Sequence, residues 1–258
     1  MPDTASHTES SAGVCAVIPT YCNAGTLEDI VLRVSRFIPD VIVVDDGSTD
    51  GTPRVLQRCR ERLEGLSVIR HERNKGKGCA LRTGLREAAG RGFRYALTID
   101  SDGQHYPEDI PLLLKEVERC PDSLVTGVRT LEGTAATGGS RFANSFSNFW
   151  FRLQTGISLG DTQCGYRVYP LRSLRGLGLI TSRYEAELEL LVFSAWGGVR
   201  VTGVPIKVYY PPADERISHF RPVYDFTRIS ILNTLLCAGA LLYGRPAGLL
   251  RKLKGRRG

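Results

Sequence analysis

The stretch ALTIDSDGQHYPEDI, from Ala96 to Ile110, begins as an apolar strand and ends in two acids and an amide. Asp100 and Asp102 stand two residues apart, so in an extended segment their side chains share a face, and Gln104 adds a neutral oxygen. Two adjacent carboxylates are costly unless one is protonated or a cation lies between them. An all-oxygen set with few protein ligands suits Mg²⁺ or Mn²⁺ completed by water and phosphate oxygens. The alternative is a turn at Asp102 and Gly103, with Asp100 as a helix-capping acid.

The composition is that of a soluble globular protein with one large or two small domains, since 42% of the 258 residues are hydrophobic and 24% are charged. The net charge of +7, much of it in the final RKLKGRRG, favours anionic partners. Seven cysteines without a C-x-x-C pair predict reduced thiols, and neither disulfides nor a zinc site. Residues 1–12 are polar without an apolar core, which predicts a disordered tail.

Apolar runs alternate with amphipathic stretches through the first half of the chain. The predicted strands are Val14–Ile18, Val41–Val44, Ser67–Arg70, Tyr95–Ile99 and Leu124–Gly127, and the predicted helices are Leu27–Arg36, one from Pro53, Gly78–Ala89 and Pro107–Arg119. This alternation predicts an α/β fold with an open, mostly parallel sheet covered by helices on both faces. Beyond Arg129 we predict an aromatic helix in RFANSFSNFWFRL, an irregular GDTQCGYRVYP, a helix in EAELELLVFSAW and a strand in VRVTGVPIKVYY.

Polar residues follow each of the five predicted strands, and ligands of open α/β sheets bind beyond the carboxyl ends of the strands. These clusters, which we expect to form one shared site, are Pro19-Thr20-Tyr21, Asp45-Asp46-Gly47-Ser48, His71-Glu72-Arg73-Asn74, Asp100-Ser101-Asp102 and Gly127-Val128-Arg129. The segment NKGKGCALRTG has two lysines at a helix start, where a phosphate could bind; a flexible basic loop is the alternative. Neither G-x-G-x-x-G nor G-x-x-x-x-G-K-[ST] is present after the first strand.

The order of the motifs resembles that of family 2 glycosyltransferases with the GT-A fold. They are VIPTYCNAGTL, VIVVDDGSTDGT, NKGKGCALRTG, TIDSDGQHYPEDI, GVR and DTQCGYRVYP. Within that family the chain is similar to the polyprenyl-phosphate (dolichyl-phosphate) mannosyl- and glucosyltransferases. The resemblance covers roughly Val14 to Ser218 and is most specific in the combination of VDDGSTD with D-x-D-x-Q-H-x-P. It implies a Rossmann-like half that binds a nucleotide sugar, a second half that binds the acceptor, and a GT-A domain over residues 13–222.

The resemblance also implies roles for individual residues. Pro19, Thr20 and Tyr21 would line the base pocket, and Asp46 would hydrogen-bond the base or the ribose. The metal ligands would be Asp100, Asp102 and Gln104, and the further substrate contacts Lys77, Asp100, Ser101, Arg129 and Arg216. The chain departs from the family in having Ser218 and His219 after Arg216, where a Ser-Lys pair is frequent, and PTYCN in place of P-T-Y-N-E.

The resemblance implies an enzyme that inverts the anomeric centre of the sugar by direct displacement. A hydroxyl acceptor then needs a general base, whereas a phosphate acceptor is already an anion. Asp161 is the candidate catalytic carboxylate, as base or oxocarbenium stabiliser, or else a loop-capping acid, and Arg167 would be its partner or a phosphate ligand. Residues two apart do not share a helical face, so we expect at most two of Glu185, Glu187 and Glu189 to point inward.

The apolar stretch from Ile229 to Gly244 falls short of the ~20 residues of a spanning helix. It predicts either an interfacial helix on an anionic bilayer, aided by the basic tail within 223–258, or a final helix that packs on the domain. The leading functional hypothesis is transfer of a hexose from GDP-mannose or a UDP-sugar to a polyprenyl phosphate, at the cytoplasmic face of a membrane. The alternatives are a hydroxyl acceptor on a glycan or glycolipid, or a non-catalytic nucleotide-sugar-binding module. Nucleic acid is not an expected partner.

Overall fold

The computed structural model of the chain describes residues 13–130, 138–176, 180–209 and 222–244. The strands are β1 (Val14–Thr20), β2 (Val41–Asp45), β3 (Leu66–Arg70), β4 (Tyr95–Thr98), β5 (Leu124–Arg129), β6 (Arg167–Pro170) and β7 (Val201–Ile206). The helices are α1 (Leu27–Ser35), α2 (Thr52–Arg62), α3 (Lys77–Gly90), α4 (Ile110–Arg119), α5 (Gly138–Thr155), α6 (Glu185–Trp196) and α7 (Pro222–Gly239). The predicted tail at 1–12, the basic end of the chain and Arg216 lie outside the described residues.

The seven strands form one sheet in the order β3-β2-β1-β4-β6-β5-β7. Every pairing is parallel except those of β6, which runs antiparallel to both β4 and β5. The predicted open and mostly parallel sheet is therefore confirmed. The expectation of an irregular GDTQCGYRVYP is wrong for its last four residues, which form β6. A four-residue strand that begins with an arginine is too short and too polar to show a strand pattern.

Helices cover both faces of the sheet, as predicted. Successive side chains of a strand point to opposite faces, so β1 contributes Ala16 and Ile18 to one hydrophobic core and Cys15 and Val17 to the other. The first core is closed by α1, α2 and α4, and the second by α3, α6, α7 and part of α5. The predicted apolar face of α1 is buried at each of its positions, which are Leu27, Ile30, Val31 and Val34.

Helix α6 is enclosed on nearly every side, which overturns the expectation that some of its glutamates are solvated. Glu185, Glu187 and Glu189 are all buried. Glu189 accepts hydrogen bonds from the backbone nitrogens of Ile180 and Thr181, at 2.7 and 2.8 Å. Because different elements surround the helix, glutamates on different faces of α6 each contact a different part of the protein.

The last helix, α7, continues into a π-helical turn at Ala240–Gly244. The window Thr227–Gly244 is long and apolar enough to cross a membrane by length and composition, and 28% of it is buried, in a search confined to the described residues. Leu232 and Leu236 face the core, whereas Leu235 and Leu242 are exposed by 64% and 84%. This helix thus has an apolar side against the protein and a second apolar side in solvent.

Candidate functional site

The carboxyl ends of β1 and β4 are joined by a buried serine. Ser101 Oγ lies 3.2 Å from the carbonyl oxygen of Pro19 and 3.1 Å from Thr20 Oγ1. Asn23 donates to Ser101 Oγ at 2.7 Å. The structure therefore brings Pro19, Thr20 and Ser101 together, as the sequence predicted, with their polar atoms bonded to one another. Tyr21 follows at the half-buried start of the next loop.

Asp46, at the end of β2, is buried and bonded on both carboxylate oxygens. Its Oδ1 lies 2.6 Å from His71 Nδ1 and accepts the backbone N–H of Lys75 at 3.0 Å. Its Oδ2 accepts the backbone N–H of Gly76 at 2.7 Å. The carboxylate thus holds the loop that leads into α3, and the expected hydrogen bond from Asp46 to a base or ribose stays a prediction.

The start of α3 is bonded to other parts of the protein. Asp46 accepts hydrogen bonds from the backbone N–H groups of Lys75 and Gly76, and the backbone nitrogen of Cys79 lies 3.1 Å from the carbonyl oxygen of Ser182. The first turn of a helix favours an anion, and the anion at this helix is Asp46 itself. The hydrogen bonds to Asp46 and Ser182 hold this segment in place, so it is not the flexible basic loop of the alternative interpretation, and phosphate binding at this helix start stays a prediction.

The side chain of Lys77 reaches from α3 into the loop after β4. Its Nζ lies 2.8 Å from Asp100 Oδ1 and 3.0 Å from Glu187 Oε2 on α6. Burial favours the neutral amine, yet these two carboxylates keep the pKa of Lys77 above its ordinary value. Burial would likewise raise the pKa of Asp100, but the charge of Lys77 holds it below its usual range. Asp100 is thus ionised and paired, and it does not cap a helix.

Asp102 lies in a turn after β4 and not in an extended segment. Its Oδ1 accepts the backbone N–H of Gln104 at 3.0 Å, and Gly103 has a φ of +78°. Burial, followed by the charge of Asp100, raises the pKa of Asp102 to about 6. The turn at Asp102 and Gly103 that the alternative interpretation predicted is therefore present. Even in this turn, Asp102 lies close enough to Asp100 for the two charges to repel.

This pair fits a hard divalent cation, because a positive ion between the carboxylates would remove their repulsion. Asp100 and Asp102 would supply the charged oxygens, with Gln104 next to them in the chain. Among the described residues, no group of three or more His, Cys, Asp and Glu side chains could hold a metal. A cation here would therefore take the rest of its oxygen ligands from water or a bound substrate, as Mg²⁺ commonly does.

Asp161 is fully buried beside Arg129, the last residue of β5. Its Oδ2 accepts from Arg129 Nε at 2.6 Å, and its Oδ1 accepts from Arg129 Nη2 at 3.1 Å. The backbone N–H of Gln163 adds a bond to Oδ1 at 3.0 Å. This bidentate ion pair fixes the orientation of the guanidinium plane. After burial, which raises the pKa of Asp100, and Lys77, which lowers it most, the charge of Arg129 also lowers the pKa of Asp100.

Arg167 is not the partner of Asp161, which corrects that sequence-based expectation. Its buried guanidinium donates to the carbonyl oxygens of Cys164 at 2.7 Å, Thr162 at 2.8 Å and Glu187 at 2.7 Å. These bonds use the charged end of Arg167 to hold the chain ahead of β6. The geometry makes Arg167 a structural residue below the site rather than a phosphate ligand.

Two residues of the site escaped the sequence analysis. Glu187 was treated as one of three helical acids, although a charged residue within an apolar helix was a usable signal. Gly165 carried no signal at all: a Cβ there would lie 2.8 Å from Asp100 Oδ2, 2.9 Å from Glu187 Oε1 and 3.1 Å from Lys77 Nζ. The charged ends of these three side chains therefore meet directly over the backbone of Gly165.

Comparisons with known proteins identify the family of this chain. The sequence model of glycosyl transferase family 2 matches residues 15–175, more than half of the chain. An undecaprenyl-phosphate mannosyltransferase of Micrococcus luteus is 31% identical over 201 residues, covering 75% of this chain and 82% of that protein. A UDP-N-acetylglucosamine–dolichyl-phosphate N-acetylglucosaminyltransferase of Methanococcus voltae is 29% identical over 214 residues, covering 75% and 84%. These matches confirm the family and the branch that the motifs resemble.

A solved structure also shares the fold. Glucosyl-3-phosphoglycerate synthase of Mycobacterium tuberculosis, in complex with Mn²⁺, uridine diphosphate and phosphoglyceric acid, has a TM-score of 0.65 at 20% identity. The alignment covers 95% of this chain and 84% of that one. This likeness confirms the GT-A fold that the sequence analysis predicted. With the family match over residues 15–175, it leads to one conclusion: the chain belongs to glycosyl transferase family 2 and is a glycosyltransferase.

Proposed function

We propose that the protein is an inverting, metal-dependent glycosyltransferase that moves a hexose from a nucleotide sugar to a polyprenyl phosphate. The donor would be GDP-mannose or a UDP-sugar. The observation that carries the proposal is the meeting of Asp100, Asp102 and Lys77 at the carboxyl edge of the sheet. Two carboxylates for a divalent cation and one ammonium for anionic oxygens are what a nucleoside diphosphate requires.

In this mechanism Asp100, Asp102 and Gln104 would hold Mg²⁺ or Mn²⁺. Bound there, the metal would neutralise charge on the departing diphosphate. Lys77 would add a second positive charge on the donor side, and Arg129, fixed in orientation by Asp161, would bind a phosphate group. The sugar would pass to the acceptor oxygen in one displacement, so the acceptor must lie on the opposite side of the sugar from the diphosphate.

The state of Asp161 favours a phosphate acceptor. A general base must reach the proton of the attacking group, but this carboxylate is fully buried and accepts bonds from Arg129 and Gln163. A polyprenyl phosphate needs no base, since it is an anion near neutral pH. The relatives named for undecaprenyl and dolichyl phosphate support this acceptor class. A hydroxyl acceptor remains the second candidate, and it requires Asp161 to leave Arg129.

Contact with a membrane surface is part of the proposal, since a polyprenyl acceptor lies in the bilayer. Helix α7 exposes Ile231 and Leu235, the π-helical turn after it exposes Leu242, and the sequence RKLKGRRG follows in the chain. Exposed apolar side chains followed in the sequence by basic residues suit the cytoplasmic face of an anionic membrane. Flotation with anionic vesicles should recover the wild-type protein and lose the variant Leu235→Glu/Leu242→Glu. Leu112→Glu, at an exposed leucine of α4, is the matched control and should float like the wild type. Equal flotation of all three proteins would contradict this contact.

The donor is tested by titrating a panel of GDP- and UDP-sugars into the protein with Mn²⁺, with EDTA and with Asp102→Ala. We expect one donor to bind with Mn²⁺, and to bind far more weakly with EDTA or with the variant. Labelled sugar from that donor should then transfer to polyprenyl phosphate and not to 3-phosphoglycerate or a glycan. Failure of every nucleotide sugar to bind would refute the donor assignment, and transfer to a hydroxyl acceptor would establish the second candidate.

A further inference from the structure

Lys77 forms ion pairs with one acid of the proposed metal site, Asp100, and with one acid outside it, Glu187. Its Nζ lies 2.8 and 3.0 Å from the two oxygens of Asp100 and 3.0 Å from Glu187 Oε2. None of the three side chains is exposed by more than 22%. A divalent cation that binds Asp100 must therefore compete with an ammonium group already bonded to both oxygens of that carboxylate.

The backbone on both sides of Lys77 is tightly fixed. Gly76 has a φ of +97°, and a Cβ there would lie 2.6 Å from the carbonyl oxygen of Ser182. At Gly78 a Cβ would lie 2.4 Å from the Cβ of Ala186. Helix α3 thus begins in direct contact with the start of α6, which leaves the flexible four-carbon stem of Lys77 as the part that can move.

Glu187 gives the ammonium group a second site of attachment. Its carboxylate is 10% exposed, and its own backbone carbonyl oxygen accepts from Arg167 Nη1 at 2.7 Å. The helix around Glu187 is thereby held against the chain ahead of β6. If Asp100 turned to a metal ion, Lys77 would keep one carboxylate partner and would not become an unpaired charge in a half-buried position.

We propose that Lys77 is an exchangeable counter-ion of Asp100 and that Glu187 is the positioning residue that retains it. When a divalent cation takes Asp100, the ammonium group turns to the diphosphate of the donor while Glu187 keeps it within reach. This inference rests on the proposed function, since it assumes that a metal and a nucleoside diphosphate bind at Asp100. It assigns Lys77 two opposite effects, one on the metal and one on the nucleotide.

The opposite effects give the proposal its test, which uses the full-length chain and Mn²⁺ as the probe. Free Mn²⁺ is measured by electron paramagnetic resonance without nucleotide, and UDP or GDP binding is measured by calorimetry at saturating Mn²⁺. Lys77→Met should bind Mn²⁺ roughly three- to tenfold more tightly than wild type, because no ammonium competes for Asp100. The same variant should bind the nucleoside diphosphate about tenfold more weakly, because a charged hydrogen-bond donor is lost.

Glu187→Gln should shift Mn²⁺ binding the other way. Lys77 then has Asp100 as its remaining carboxylate partner, so Mn²⁺ should bind roughly threefold more weakly than to wild type. In Lys77→Met/Glu187→Gln the ammonium is absent, and the tighter Mn²⁺ binding should return. This double variant also tests whether the gain in Lys77→Met arises from an uncompensated Glu187: loss of the gain in the double variant would assign it to that charge and overturn the exchange.

Lys115→Met, at an exposed lysine of α4, is the control for removal of a positive charge and should match the wild type in both measurements. Weaker binding of both Mn²⁺ and nucleotide by Lys77→Met would make Lys77 a purely supporting residue, and no change in either would remove it from the site. Both results overturn the exchange. Failure of the proposed function is distinguishable, because wild-type protein would then show no Mn²⁺-dependent binding of UDP or GDP at all.

Discussion

The loop after β2 and the loop after β4 both present aspartates at the carboxyl edge, but they use them differently. Asp46 accepts three bonds from His71, Lys75 and Gly76, all of them protein groups. Among the residues that the structure describes, Asp100 is bonded to the flexible Lys77, and Asp102 accepts the backbone N–H of Gln104. We therefore expect the first carboxylate to maintain the fold and the second pair to retain charge that a ligand can use.

The same contrast extends to Asp161, which is paired with Arg129 at the end of β5. Asp161 resembles Asp46, because it is fully buried and bonded on both oxygens, in this case to Arg129 and Gln163. The sequence motifs assign Asp100 and Asp102 to a metal, Asp46 to the base or ribose, and Asp161 to catalysis. From the protein donors around each carboxylate we instead expect Asp46 and Asp161 to hold loops and Asp100 and Asp102 to bind a ligand, so variants at the two kinds should differ in what they lose.

The largest effect on stability is expected for Asp161→Ala. The variant removes one partner of a buried ion pair, which should lower the free energy of unfolding by about 3–5 kcal/mol. Urea denaturation measures this loss. In a double-mutant cycle with Arg129→Met, the two losses should fall short of additivity by about 2–3 kcal/mol. Additive losses would show that Asp161 contributes to stability independently of Arg129, as expected for a carboxylate that serves as a base.

Asp100→Asn should have the opposite effect, with a large loss of activity and a small loss of stability. We expect the rate of sugar transfer to fall about 10²–10³-fold, since the variant loses a charged metal ligand. The free energy of unfolding should change by about 1 kcal/mol or less, because the Lys77–Asp100 pair is partly exposed and Glu187 remains as a partner. A transfer assay and urea denaturation on the same preparation test both parts. A large loss of stability would place Asp100 with the loop-holding carboxylates.

Asp46→Asn should cost about 2–3 kcal/mol of unfolding free energy, because three donors, two of them in buried hydrogen bonds, lose a charged acceptor. The loop from His71 to Gly76 should exchange its amide hydrogens faster than in the wild type, which hydrogen-exchange mass spectrometry can follow. Unchanged stability together with weaker nucleotide binding would instead support the original expectation that Asp46 contacts the base or ribose.

The smallest effect is expected at the exposed Glu87–Arg91 pair of α3, which lies on the helix that carries Lys77. Glu87→Gln removes one surface ion pair spaced i,i+4 and should lower the free energy of unfolding by about 0.3–0.5 kcal/mol. Transfer and Mn²⁺ binding should equal those of the wild type. A larger loss in either would mean that α3 transmits surface changes to Lys77, and the contrast between the two loops would weaken.

Sequence patterns predicted the fold well wherever a segment carries its own signal. Strands β1 to β5 and the helices between them are apolar or amphipathic over enough residues to be recognised, and D-x-D stands out by charge. The patterns failed for β6, for Arg167 and for Glu187, whose positions depend on partners far along the chain. The three bonds of Asp46 were equally hidden, because two of them come from backbone amides that carry no side-chain signature.

The reversed direction of β6 has a consequence for changes in chain length. The parallel strands end at the site, but β6 starts there, and Arg167 is paired with both Thr98 of β4 and Thr126 of β5. The segment from Asp161 to Gly165 is thus tethered at Arg129 on one end and at a strand between two neighbours on the other. One inserted or deleted residue in it would move Asp161 off Arg129 or Gly165 away from Asp100. Loops at the opposite edge of the sheet, such as the one between α3 and β4, can lengthen or shorten without that consequence.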